Sequence, residues 1–330
     1  MTLRTCVIGV GRMGANHARC LYELPESELL AIADANEERL AELSARFNCR
    51  GYTDHHEMLA EERPDAVVVA VPTPMHAIVA FDVIGAGCHL LIEKPLADNA
   101  AQARQIIDFA REKDVRLAVG HVERFNPAVR KLKEIMEEGT LGRILSISTR
   151  RVGLPSPHYR DTNVVVDLAV HDLDVIRFLL GETPRVLSSV TGRLSLGPSE
   201  DYADILLLTG DVPCVIQVNW VTPIKVRTLS VVGDAGYAEL NYITQTIDLY
   251  SHQSLEPNAS YAELLARYGT PERKTIHRAG EEPLKAELKS FFRAIETGEE
   301  PEAGGEAGLA AVELAGEILA RATSVQVQLL

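Results

Sequence analysis

Three groups of residues in this chain have the types and spacing for chemistry. Glu93-Lys94-Pro95 closes the apolar run His89-Leu90-Leu91-Ile92. Proline cannot donate to a sheet ladder and holds the residue before it extended, so Lys94 stands on a stiff backbone at a strand end. It is there either as a solvated strand end or as a positioned cation. The second group is Asp167-x-x-x-His171 in "NVVVDLAVHDLDVIRFLL", residues 163–180. On a helix Val164, Asp167, His171, Asp174 and Phe178 share one face, and the Asp167 carboxylate can orient the His171 imidazole or raise its basicity. The alternatives are an acidic helix start beside a satisfied histidine, or a metal held by Asp167, His171 and Asp174. No further His or Cys cluster stands nearby in sequence, so no metal is expected. The third group is Gly9-x-Gly11-x-x-Gly14, followed 20 residues beyond Gly14 by Asp34. The first glycine allows a tight turn, the second close approach of backbone to a pyrophosphate, and the third close helix–strand packing. Asp34 is placed for the adenosine ribose hydroxyls. A 2′-phosphate beside it would meet repulsion on the order of a few kcal/mol at an effective dielectric near 20. The nearest arginine is Arg39, so NAD is expected rather than NADP, with Arg12 and Met13 of the glycine turn and Arg39 among its contacts.

These residues need elements to hold them. Through residue 120 short β-rich runs alternate with helical patterns: "TCVIGV" and Met13–Leu24, "LLAIAD" and Glu37–Phe47, "DAVVVAV" and Met75–Ala86, "HLLIE" and Ala100–Lys113, then "VRLAVG". Continuous Val/Ile/Leu runs between helices indicate a parallel sheet covered on both faces. Beyond Gly120, helices are expected at Pro127–Glu138 and Val164–Leu180 around the strand "RILSISTRR". "RVLSSVTGRL", "YADILLLT", "CVIQVNWVT", "VRTLSVVG", "YAELNY" and "TIDLY" then follow with no helices between them. Such a run makes a mostly antiparallel sheet. Ser251–Glu282 reads as a long irregular loop with some helix at Tyr261–Tyr268, and Leu284–Glu296 and Ala307–Ala322 read as terminal helices.

The 330 residues suffice for two domains. With 33 basic against 47 acidic residues the net charge is −14, which excludes a nucleic-acid footprint but not a locally basic pocket for an anion. No apolar run approaches the roughly 18 residues of a membrane span, and Gly9 and Gly11 interrupt any secretory leader. The five cysteines form no CxxC pair, which fits free thiols in a reducing cytoplasm.

In their order and spacing, the glycine fingerprint, Asp34, Glu93-Lys94-Pro95 and Asp167-x-x-x-His171 resemble the glucose–fructose oxidoreductase/inositol dehydrogenase (Gfo/Idh/MocA) family. The resemblance extends to "VVGDAGYAEL" and the closing helices. It implies an α/β fold: a Rossmann domain over 1–120, then an α+β domain over 121–330 with a large, mostly antiparallel open sheet. The terminal helices are placed back on the first domain. It also implies an NAD-dependent oxidoreductase acting on a CH–OH group, with Lys94 and His171 flanking the hydroxyl and Asp167 supporting them. Pro72, Thr73, His76 and Glu93 resemble the family's surroundings of the nicotinamide. An ordinary lysine with a pKa about 10.4 is almost wholly protonated at neutral pH, whereas an ordinary histidine near 6.5 is mostly neutral. His171 is therefore read as the base and Lys94 as stabiliser of the alkoxide, an assignment that burial can reverse.

"VGHVERFNPAV" and "DTNVVVDLAVHDLDV" further resemble the branch of UDP-N-acetylglucosamine 3-dehydrogenases. Asp161-Thr162-Asn163 stands where many members carry a glycine triplet. That branch implies a nucleotide-sugar substrate, with His121, Arg124, Asn126, Tyr159, Arg160 and Asn163 as contacts; a structural role is the alternative for each. Two other readings stand: a free sugar or inositol dehydrogenase, and a non-catalytic nucleotide-sensing regulator, which would need none of Lys94, Asp167 and His171. A homodimer or homotetramer is expected, without nucleic-acid or membrane partners.

Overall fold

A computed structural model describes residues 2–154, 162–194, 199–251, 272–277 and 280–326. The chain forms two compact units, Met1–Phe125 with Glu281–Glu313, and Asn126–Gly280 with Leu314–Leu330. The division thus falls at 125/126, and the first unit also takes in a C-terminal segment.

The first unit is built on a six-stranded sheet of order β3-β2-β1-β4-β5-β6. Its strands are β1 (Leu3–Ile8), β2 (Ser27–Ala33), β3 (Arg50–Tyr52), β4 (Ala66–Val69), β5 (His89–Ile92) and β6 (Leu117–Val119), all parallel. Successive residues of the central strands β1, β4 and β5 point to opposite faces, and both faces are covered. Cys6, Ile8, Val67, Val69, Leu90 and Ile92 pack on one side. Val7, Ala66, Val68 and Leu91 pack on the other. The first side is covered by α3 (His55–Glu62), α4 (His76–Gly85) and α5 (Ala100–Glu112). The second is covered by α1 (Arg12–Glu23), α2 (Glu37–Phe47) and, from the far end of the chain, α8 (Pro283–Thr297), through Leu284, Leu288, Phe291 and Phe292. This doubly wound order reverses between β1 and β4, and ligands of such sheets bind outside the strand ends at that switch point.

The second unit carries a nine-stranded sheet, order β14-β13-β12-β11-β7-β10-β9-β8-β15. Its members are β7 (Ile144–Val152), β8 (Arg185–Arg193), β9 (Tyr202–Thr209), β10 (Val212–Asn219), β11 (Val226–Gly233), β12 (Gly236–Asn241), β13 (Thr246–Ser251), β14 (Arg273–His277) and β15 (Thr323–Gln326). Only the β7–β10 and β8–β15 pairs are parallel. The period-two pattern puts Ile147, Ile205, Leu207, Cys214, Ile216 and Leu229 into a core with α6 (Pro127–Glu137) and α7 (Val170–Leu180). Leu206 and Val215, opposite each other across β9 and β10, remain 38% and 42% exposed on the other face. The last helix, α9 (Gly305–Arg321), begins in the first unit and ends in the second.

Several expectations need correction. β3 and α3 were absent from the sequence pattern, because a three-residue strand and a short helix starting His55-His56 carry little periodicity. The helix expected from Met75 starts at His76, after a single 3-10 turn over Thr73–Met75 in which Pro74 has no N–H to donate. β14 falls in the stretch expected to be loop, and β15 follows the last expected helix. The helix expected at Tyr261–Tyr268 lies outside the described residues.

Helix α7 is tied to its sheet by a buried ion pair. Arg151 on β7 donates from Nε and Nη2 to the two Asp172 oxygens at 2.9 and 3.1 Å, and its guanidinium stacks 4.8 Å from the Tyr242 ring centroid. Both partners are buried, so removing the cation strands a carboxylate away from water. Arg151→Met is therefore expected to destabilise the protein by about 3–5 kcal/mol, with Arg151→Met/Asp172→Leu recovering most of the loss. Urea denaturation checks this; an unchanged midpoint in the single variant contradicts it.

Candidate active site

The glycine turn between β1 and α1 has room only for what the sequence supplies. Gly9 sits at φ +84°, and a Cβ there would lie 2.7 Å from the Ala70 carbonyl oxygen. A Cβ on Gly14 would lie 1.8 Å from the Gly9 carbonyl oxygen, which forces glycine wherever helix and turn approach so closely. Gly11 has no atom within 4 Å of its Cβ position, so the turn opens there. Gly11 is also the N-cap of α1, which has no side-chain cap and no acid in its first turn. Amides at such an end, together with the helix dipole, favour an anion.

Asp34, just after β2, accepts from Val10 N at 2.7 Å and from Asn36 N at 2.8 Å, one bond to each oxygen. The carboxylate thus ties the glycine turn to the end of β2, and each oxygen retains acceptor capacity for a hydroxyl. Arg39 is exposed, its amide bonded to the Asn36 cap of α2. Arg12 is exposed and Met13 half-buried. The open Gly11, the crowded Gly9 and Gly14 and the Asp34 carboxylate fit a dinucleotide.

Lys94 follows β5 in the same unit, and its turn is fixed from two directions. Glu93 is buried and accepts from His17 Nε2 at 2.9 Å; its other oxygen accepts from Lys94 N at 3.2 Å. A Cβ on Gly120 would come within 2.9 Å of Glu93 Oε2, so glycine there leaves space for the carboxylate. Burial pushes the Glu93 carboxyl up, but the His17 hydrogen bond and charge, with Lys94, outweigh it and hold it below the usual range. From the other side His76, also buried, places Nδ1 2.7 Å from the Pro95 carbonyl and Nε2 3.0 Å from that of Val71. Burial lowers the His76 pKa against the pull of these carbonyls. The neutral ring has one N–H, and as the Nδ1–H tautomer it ties to the Lys94-Pro95 turn, while Nε2 only lies against the start of the loop carrying exposed Pro72 and half-buried Thr73.

In the second unit Asn163 begins the helix, its Oδ1 accepting from Val165 N and Val166 N, each at 3.0 Å. The regular α-helix expected here is interrupted, since Val165–Ala169 is π-helical and α7 follows. The wider turn changes the alignment that a constant 3.6-residue period gives Asp167 and His171, and such insertions recur at functional sites. Asp167 is buried and accepts from Trp220 Nε1 at 3.3 Å, while His171 is half-buried. Asp172, next in the chain, is the carboxylate anchored by Arg151.

The expected substrate contacts divide. Arg124 is 4% exposed and donates to the Glu302 carbonyl at 2.7 Å. Asn126 caps α6 through Ala128 N at 3.1 Å and donates to the Tyr242 carbonyl at 3.2 Å. Both therefore serve the backbone, as Asn163 does. His121 is buried directly after Gly120. Tyr159 and Arg160, with Asp161 of the replaced triplet, lie outside the described residues. Two residues escaped the sequence reading. His17 lies on the apolar face of α1 and meets its partner 76 positions away. Trp220 is the chain's one tryptophan, and its composition alone was the available signal.

Comparison with known proteins agrees with this geometry. Residues 3–121 match the model of the oxidoreductase family with NAD-binding Rossmann fold, and residues 129–239 match the GFO/IDH/MocA C-terminal domain. UDP-N-acetylglucosamine 3-dehydrogenase of Acidithiobacillus ferrooxidans is 29% identical over 89% of this chain and 88% of its own. Myo-inositol 2-dehydrogenase of Thermotoga maritima is 29% identical over 94% of each. The solved structure of the Acidithiobacillus enzyme superimposes with TM-score 0.85 and 27% identity over 98% of both chains. A levoglucosan dehydrogenase in complex with NADH shares the fold, with TM-score 0.85 at 20% identity over 97% of each. The chain belongs to the GFO/IDH/MocA family and is an NAD-binding oxidoreductase with a Rossmann domain and the family's C-terminal domain.

Proposed function

We propose that the protein oxidises the 3-hydroxyl of UDP-N-acetylglucosamine to a ketone with NAD. The observation that carries an alcohol oxidation is the Lys94 turn, anchored through Glu93 and His76 on the same parallel sheet as the glycine cradle and Asp34. The substrate assignment is supported by the likeness to the Acidithiobacillus enzyme over most of both chains. A polyol such as myo-inositol is the second reading, favoured by the equal identity to the Thermotoga enzyme.

Bound NAD supplies the hydride acceptor. In this reading His171 takes the hydroxyl proton, Lys94 donates to the oxygen as it gains negative charge, and Asp167 orients the histidine. Asp34 binds the adenosine ribose and disfavours a 2′-phosphate there. Arg124 is assigned to the fold, because its buried guanidinium is engaged with the Glu302 carbonyl. In this reading Tyr159 and Arg160 contact the sugar or the diphosphate. Binding energy gained at a diphosphate, remote from the reacting carbon, helps hold the hydroxyl in a reactive position.

Three outcomes are expected. Asp34→Ser lowers NAD affinity while NADP affinity holds or rises; titration of both nucleotides checks this, and tighter NADP than NAD binding by the unmodified protein contradicts it. Lys94→Ala and His171→Ala each lower kcat by about a hundredfold or more while NAD binding survives. A variant that turns over at the normal rate loses its assigned role. UDP-N-acetylglucosamine supports NAD reduction at far lower concentration than N-acetylglucosamine or myo-inositol, measured as absorbance of the reduced nucleotide. Turnover of the polyol without response to the nucleotide sugar promotes the second reading.

A further inference from the structure

We propose that His17 is a positioning residue for the chemical step: its imidazole holds the Glu93 carboxylate against the Lys94 turn and thereby fixes where Lys94 acts. The inference rests on the reading that Lys94 serves the reaction.

The geometry makes a closed clamp. His17 is fully buried on α1, and its Nε2 lies 2.9 Å from Glu93 Oε1. Glu93 Oε2 receives the Lys94 amide at 3.2 Å. On the far side Gly120 makes the room: a Cβ there would lie 2.9 Å from Oε2 and 3.1 Å from the Glu93 Cα. The carboxylate is thus held at both oxygens, in the space that the glycine leaves. His76 grips the next residue, with its Nδ1 2.7 Å from the Pro95 carbonyl. Backbone motion at Lys94 is opposed on both sides by a buried imidazole.

His17 also lies about one turn beyond Gly14, on the helix whose N-terminus forms part of the glycine cradle. Any buried imidazole must satisfy its N–H, and what matters is the acceptor it finds. Here the acceptor is the residue preceding the lysine, so the helix of the cofactor cradle and the Lys94 turn share one buried hydrogen bond. The charged and titratable groups facing Glu93 are His17 from α1 and Lys94 on its own turn. His76 from α4 feels the Glu93 charge as well. Loss of the His17 donor removes the largest influence opposing burial and raises the Glu93 pKa.

The test uses the full chain with NAD and UDP-N-acetylglucosamine. His17→Leu is expected to lower kcat by about tenfold to a hundredfold, the scale of a misplaced catalytic group, with KM and NAD affinity within about twofold. The acid limb of its kcat profile moves to higher pH as Glu93 takes up a proton. His17→Gln, which keeps an N–H donor near the position of Nε2, recovers most of the rate and restores the limb. Unchanged kcat in His17→Leu overturns the inference, as does equal loss in His17→Leu and His17→Gln with NAD affinity falling in parallel.

Lys94→Ala separates the two layers of the reading. Normal turnover by that variant refutes the role of Lys94 itself, while loss there with none in His17→Leu refutes only the clamp. A readout without turnover comes from reductive 13C-methylation of the NAD-bound protein. The Lys94 resonance, identified by its absence in Lys94→Ala, is expected to move in His17→Leu and to stay in place in His17→Gln. A resonance unmoved by His17→Leu overturns the inference whatever the substrate.

Discussion

A carboxylate buried in a protein stays ionised only where the interior replaces the water it has lost. Glu93 meets that constraint with the His17 ring at one oxygen and the Lys94 amide at the other. Much of the first unit follows from it. Gly120 leaves the carboxylate its space, α1 brings a histidine to it, and β5 ends where its backbone turns. An isolated ionised carboxylate there would cost several kcal/mol. The pair converts that cost into a stiff platform under a lysine, within a sheet whose other strand ends form the dinucleotide cradle.

The second unit meets a similar constraint by different means. Its buried charge is Asp172, matched by the Arg151 fork, and the consequence is a helix start that cannot rotate freely. The π-helical turn over Val165–Ala169 and the Trp220 bond to Asp167 lie immediately before this anchor. Both units thus keep ionisable groups beside rigid anchors.

Where backbone sterics or strict periodicity decided the outcome, the sequence was legible. Gly9 and Gly14 announce the cradle because no other residue fits those distances, and Glu37–Phe47 forms the helix its apolar spacing requires. The antiparallel strands were visible because alternate residues face a core, as in β9 and β10. What escaped depended on partners distant in sequence or on a changed period. His17 reads as a core histidine until Glu93 is placed beside it. Arg124 and Asn126 have the chemistry of ligands, and the sequence gives no sign that both are buried with backbone acceptors. The π turn has no signature in a pattern read at 3.6 residues. β3 and β14 are too short or too exposed for alternation to register.

The central claim is that a sugar carbinol passes its hydrogen to NAD on this protein. Isotope transfer tests it most directly. UDP-N-acetylglucosamine deuterated at sugar C3, incubated with the protein and NAD, should give reduced nucleotide carrying one deuterium, read by mass spectrometry, together with a 3-keto nucleotide sugar. Reduced nucleotide without deuterium, or none formed while deuterated myo-inositol transfers its label, would contradict the account.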